Sequence, residues 1–256
     1  MVRSEGRVAA LRRFPVKGLS PEALDAVEVE PGRPIAGDRA YAIENGPSGF
    51  DPERPAKLPK VKFLCLMKNA RLAGLETRFD AATGRLEISR DGALALSADL
   101  TTEAGREKTA AWFSDFMGEE RRGPLKVLPA PKGHTFSDTS KGVLSLINLA
   151  SVAAIEDFAG APVDPLRFRG NLDFEGFGAW DELEWVGRDL LVGEVRFRVV
   201  DRTVRCAATE VDPTTAARDM PVPRLLQQRL GHADCGVYAQ AVTAGRIAVG
   251  APVRLV

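Results

Sequence analysis

Glycine and proline punctuate this chain so often that no long helix can run through most of it. The 24 glycines and 17 prolines in 256 residues close one short apolar or alternating run after another. Proline removes a backbone donor and glycine admits turn conformations, so these runs read as short strands joined by tight turns. Strands are expected at residues 7–14, 26–30, 143–147, 188–192, 195–200, 235–242, 246–249 and 253–256. Another follows Gly37-Asp38-Arg39, and a short one returns within 121–131. Residues 72–79 and 85–89 form a hairpin around Ala82-Thr83-Gly84. Helical spacing is confined to 102–117, 149–158 and 224–230. The first has Ala110, Trp112, Phe113 and Phe116 on its apolar face and Gly118 as its stop. The run 61–67 does not separate helix from strand, and Cys65 within it reads as core. The class is therefore mostly β with some helix (α+β), and a β-barrel rather than a doubly wound sheet.

Several functions are excluded early. Thirty-five basic and thirty-five acidic residues cancel, so no global charge draws the chain to nucleic acid or to an anionic membrane. The longest uncharged window, 142–155, is too short to span a bilayer. Met1-Val2-Arg3-Ser4-Glu5-Gly6 lacks the pattern of a signal peptide, so a cytoplasmic protein is expected. Three sparse cysteines, two histidines and no C-x-x-C pair argue against both a disulfide framework and a zinc site. There is no G-x-G-x-x-G, no Walker loop and no G-x-S-x-G elbow.

What remains are local clusters. Cys206 stands beside Arg205 and just before the Asp212-Pro213 turn. Positive neighbours favour a thiolate, which is both a nucleophile and a soft-metal ligand. The plainer alternative is a small core residue at a strand end. Lys17 and Arg39 each sit between rigid punctuation and an apolar strand; otherwise they are solvated charges. Ser137, Asp138, Thr139 and Ser140 suit either a turn or a polar ligand. Period-two spacing over 166–174 puts Arg167, Arg169 and Asn171 on one face of an extended segment. Two guanidiniums and an amide there suit a phosphate or a planar heterocycle.

Taken together these patches resemble the MOSC family, the domain of molybdenum cofactor sulfurase C-termini. The similarity is to the branch of the mitochondrial amidoxime-reducing component and its bacterial counterparts. It is carried by Phe14-Pro15-Val16-Lys17-Gly18, Gly37-Asp38-Arg39, Ser137-Asp138-Thr139-Ser140, Arg167-Phe168-Arg169-Gly170-Asn171 and Trp180-Asp181-Glu182-Leu183. The block from Arg205-Cys206 to Asp212-Pro213 and the closing 245–250 strand complete it. The resemblance implies a MOSC β-barrel from residues 1–39 and 131–256, with a smaller α+β MOSC N-terminal domain, 40–130, inserted. It implies a pyranopterin molybdenum cofactor, with Cys206 as metal ligand and Asp212 shaping the adjacent loop. Lys17, Arg39, Arg167, Arg169, Asn171, Arg205 and Ser137 to Ser140 would contact that cofactor. The activity implied is reduction of a small N-oxygenated substrate, with electrons from a separate ferredoxin or flavoprotein reductase. The alternatives are sulfur transfer through a Cys206 persulfide and cofactor carriage without catalysis. The pyridoxal phosphate label borne by some relatives finds no lysine context here. Gly170 replaces the proline common in relatives, and the turn after Asp212 lacks their glycine.

Overall fold

A computed structural model describes residues 5–256. Strands β1 (Glu5–Arg13), β2 (Glu22–Leu24) and β3 (Ala26–Val29) come first, then β4 (Tyr41–Asn45). A meander follows: β5 (Glu76–Asp80), β6 (Arg85–Arg90) and β7 (Ala93–Asp99). Helix α1 (Glu103–Met117) leads to β8 (Leu125–Pro129), β9 (Leu144–Asn148), helix α2 (Leu149–Ala159) and β10 (Leu172–Glu175). Last come β11 (Asp189–Val192), β12 (Val195–Val204), α3 (Val222–Leu230), β13 (Asp234–Ala241), β14 (Gly245–Ala248) and β15 (Pro252–Leu255). The alternation read as strands is therefore mostly realised. Strand β2, three residues long, and β7, whose Ala93-Leu94-Ala95-Leu96 run alternates, were not among the expected strands.

Seven strands close into a barrel in the order β10-β9-β13-β12-β11-β15-β1, and β1 returns to β10. β1 closes it by serving two neighbours. Its first residues pair with β15, its middle pairs with β10, and the register shifts between Val8 and Ala10. Only β9 and β10 run parallel, and α2 makes the crossover between them. β12 shows why the barrel fills: Val195, Phe197 and Val199 are buried while Arg196 and Arg198 point out. Phe174, Val237, Leu190 and Val253 join them in one apolar core.

A second core lies beside the barrel. Ile43, Leu86, Ile88, Leu96, Phe113, Met117 and Val127 meet there, together with Val16 and Leu19 from the loop after β1. Thr102 caps α1 by accepting from the Gly105 N–H, and Gly118 ends it at φ +52°. The buried stripe of α1 is Thr109, Phe113 and Met117, one residue round from the expected face. Ala110, Trp112 and Phe116 are half-buried on its flank. Cys65 lies in a turn after the short helical turn Lys60–Lys62, neither helix nor strand.

Glu182 staples the barrel to α2. It is fully buried, and its carboxylate accepts from Asn148 Nδ2 at 2.8 Å, from Ser151 Oγ at 2.8 Å and from the Gly236 N–H at 3.2 Å. Burial pushes its pKa up, and the donors around it oppose that rise. Glu182→Ala strands three buried donors. A loss of about 3–5 kcal/mol is expected, the scale of breaking a buried charged network. It should appear as a lower urea midpoint at unchanged slope.

Candidate functional site

β12 carries two register shifts, between Val199 and Asp201 and between Arg202 and Val204. Such bulges re-aim the chain. Beyond them Arg205 bonds back to the Ala233 carbonyl and Cys206 is extended, leading into the turn Ala207–Glu210. The Thr209 amide and hydroxyl both donate to the Cys206 carbonyl at 2.9 Å. Cys206 is thus held by its backbone while its side chain stays half-exposed in a cavity.

That cavity encloses about 130 Å³ and gathers Lys17, Arg39, Lys60, Cys65, Ser137, Asp138, Arg169, Tyr238 and Cys206 from widely separated segments. Lys17 is buried and reaches it from the loop after β1, donating to Phe136 O at 2.9 Å and to Asp138 Oδ1 at 2.6 Å. Burial pulls the Lys17 pKa down, with Asp138 opposing. Lys60 Nζ lies 3.3 Å from Cys206 Sγ and 3.4 Å from Asp138 Oδ2. Burial alone would lower Lys60; Asp138 and Cys206 reverse that and raise it. Burial would likewise raise Asp138, but Lys17 and Lys60 hold its carboxyl well below the usual range.

Arg39 and Arg169 flank the Phe14 ring, their guanidinium carbons 4.4 and 4.2 Å from its centroid. Both adopt left-handed backbone, at φ +50° and +53°, and an Arg39 N–H donates to the Arg169 carbonyl at 3.2 Å. Asp38 pairs with Arg39, whereas Arg169 has no carboxylate partner among the described residues. Desolvation, and then the neighbouring Arg39 charge, bring Arg169 down to about 9. A bound anion would relieve that repulsion.

The structure corrects the expected extended face and the placing of Asp212, Thr139 and Ser140, and it shows what the other expected residues bond to. Residues Pro165–Phe168 form a short helical turn and Arg169 is left-handed, so 166–174 is not one extended face. Arg167 lines the cavity; its buried guanidinium donates to Asp219 at 2.7 and 2.8 Å, to Asp212 at 2.9 Å and to Glu210 O, while its Nε has no partner. Arg205 lines the cavity as expected, and its guanidinium donates to the carbonyls of Cys235 and Phe168. Asn171 also lines the cavity, but its amide accepts from Ser145 N and donates to Arg12 O. Asp212 lies outside the cavity. It caps the Thr214 and Thr215 amides and pairs with Arg167. Thr139 and Ser140 face a neighbouring groove and not the cavity of Cys206. Gly170 packs tightly: a Cβ there would come 2.4 Å from Ile147 Cγ1.

Four groups escape sequence reasoning. Lys60 comes from a proline-rich loop, and its signal is the stretch from Arg54 to Leu75, which carries six basic residues and no acid. Cys65, although buried, lines the same cavity as Cys206. Ser145 Oγ and Thr203 Oγ1 line it without a hydrogen-bond partner. Buried hydroxyls of this kind are normally satisfied, so they mark where a ligand's polar atoms fit.

Fold and cavity together define a β-barrel protein with one half-exposed thiol in a cationic, hydroxyl-lined cavity beside the barrel. Two family profiles match the chain: the MOSC N-terminal beta barrel domain over residues 5–120 and the MOSC domain over residues 131–254. The chain belongs to the MOSC family. Comparison with curated proteins gave no match. Among solved structures it is similar to YiiM from Geobacillus stearothermophilus, at 20% identity over 44% of this chain and 53% of that one, TM-score 0.36. It is similar to YiiM from Escherichia coli at 19% identity over the same shares, TM-score 0.34. The YUAD protein from Bacillus subtilis aligns over 99% of this chain and 96% of its own, at 10% identity and TM-score 0.46. The chain thus spans about half the length of the YiiM proteins. No helix among the described residues is long and apolar enough to cross a membrane.

Proposed function

We propose that this cavity holds a pyranopterin molybdenum cofactor and that the protein reduces a small N-oxygenated substrate. The observation that supports this reading is the gathering of Cys206, Lys17, Lys60, Arg39 and Arg169 around unpartnered Ser145 and Thr203 hydroxyls. The donor set fits the group. Lys17, Lys60, Arg39 and Arg169 outnumber Asp38 and Asp138, leaving positive charge for a phosphate. Among the described residues no three His, Cys, Asp or Glu side chains cluster to hold a metal. The chain would therefore offer one thiolate, and a dithiolene cofactor brings further sulfur ligands of its own.

When bound, the cofactor supplies two-electron redox chemistry at molybdenum. The protein supplies position and charge. Cys206 would anchor the metal. Arg169 and Arg39, braced by Phe14, would hold the anionic group, and Lys17 and Asp138 would fix the wall between them. Reduction of an N-hydroxyl compound to the amine and water consumes two electrons and two protons, which a separate donor must provide.

Protein purified from a cofactor-competent host should contain molybdenum near one atom per chain, as read by elemental analysis. With a chemical reductant it should convert an amidoxime to the amidine. Metal-free protein bearing a persulfide on Cys206 would replace this reading with sulfur transfer. Loaded protein that reduces no N-hydroxylated compound with any donor would leave cofactor carriage.

A further inference from the structure

We infer that a recess beside the Cys206 cavity is a subsite for the organic body of the substrate, selecting an apolar aryl or alkyl group that is neutral or anionic. The inference rests on the reductase reading and names the substrate class within it. The recess encloses about 340 Å³, within the range of small-molecule sites. Leu58, Pro59, Val61 and Met67 give it apolar walls. Lys60, Met67 and Asp138 line both the recess and the cavity, so the two adjoin. At that junction Lys60 Nζ lies 3.3 Å from Cys206 Sγ. A substrate held with its N–O group beside the thiol can lay the rest of its structure here.

The walls are fixed and their polar groups are engaged. The Val61 carbonyl accepts from Arg122 Nη1 at 2.8 Å and the Met67 carbonyl from Arg218 Nη2 at 2.8 Å. The Pro59 and Lys60 carbonyls accept from the Lys62 and Phe63 N–H groups at 2.9 and 3.1 Å. Asp138 accepts from Lys17 and Lys60, and Leu58 packs against the buried cluster of Phe63, Leu128 and Phe136. A ligand edge rich in donors would meet acceptors already in use, whereas a hydrocarbon body needs none. Walls set in advance also lower the ordering cost of binding. Lys57 lines the recess and the groove of Thr139 and Ser140 but not the Cys206 cavity, so it marks the far end. It is exposed and makes no ion pair among the described residues. With Lys57 at one end and Lys60 at the other, a cationic body is repelled, while an anionic far end finds a counter-charge.

The test titrates the full, loaded and oxidised chain with amidoximes in the absence of any electron donor, so that calorimetry reads binding without turnover. Benzamidoxime should bind roughly tenfold or more tighter than acetamidoxime, the scale set by burying several further carbons. The para-carboxy derivative should bind at least as tightly as benzamidoxime, and the para-trimethylammonio derivative more weakly. Val61→Asp should bring benzamidoxime to within about threefold of acetamidoxime, because a carboxylate is set against the ring. Val61→Thr, nearly the same in volume, should fall between and decides the matter if Val61→Asp does not fold. Lys57→Glu should weaken the para-carboxy compound by about three- to fivefold relative to benzamidoxime, the scale of an exposed pair. Benzamidoxime that binds no tighter than acetamidoxime overturns the inference, as does a margin that survives unchanged in the folded Val61 variant. Benzamidoxime binding that depends on Val61, in protein that reduces no N-hydroxylated compound with any donor, supports the recess and refutes the reductase reading instead.

Discussion

Cys206→Ala folds like the parent and retains no molybdenum; that is the largest functional effect expected. The side chain is half-exposed, and its backbone is held by Thr209 and Arg205 contacts that do not involve sulfur. Removing one half-exposed sulfur costs at most about 1 kcal/mol of stability. It removes the only half-exposed sulfur that lines the cavity. Cys65→Ala is the matched control. Cys65 is 6% exposed, and burial raises the pKa of its thiol, so it packs as a small apolar group. It should lose about 1 kcal/mol or somewhat more and keep its metal. Elemental analysis of both variants beside urea unfolding reads the two effects separately. If Cys206→Ala keeps stoichiometric molybdenum, or if Cys65→Ala is the variant that loses it, the ligand assignment fails.

Arg167→Met is expected to give the second large effect, on stability and loading together. Its guanidinium joins the turn Pro165–Phe168 to the loop that follows Cys206, through Asp212, Asp219 and the Glu210 carbonyl. Breaking a fully buried pair costs about 3–5 kcal/mol. Here Asp212 and Asp219 keep 22% and 42% of their side-chain surface and can rehydrate. About 2–3 kcal/mol is the better expectation. Arg167→Lys keeps the charge but not the fork, and should recover only part of the loss. A variant as stable and as fully loaded as the parent would show that the loop holds its shape without this clamp.

The alternating barrel strands and the capped helices α1 and α2 were legible in the sequence because burial imprints a period and caps imprint residue types. The family resemblance was legible too. The role of each arginine was not. Arg167, Arg169 and Arg205 look alike in sequence, but one is neutralised by two carboxylates, one stacks on Phe14 without an acid, and one is spent on carbonyls. Which partner each meets depends on long-range packing, which no local window contains. Lys60 and Cys65 were missed for the same reason: their segment packs Leu64 into the second core and meets Cys206 only through the fold.

Strand β1 pairs with β15, more than two hundred residues further along. During synthesis the first stave must therefore wait for the last before the barrel can seal. Pairings this distant in sequence make for slow folding. The pocket around the thiol takes side chains from Lys17 through to Tyr238, so it comes into being only once those segments have met, and any prosthetic group would be received by a barrel already folded.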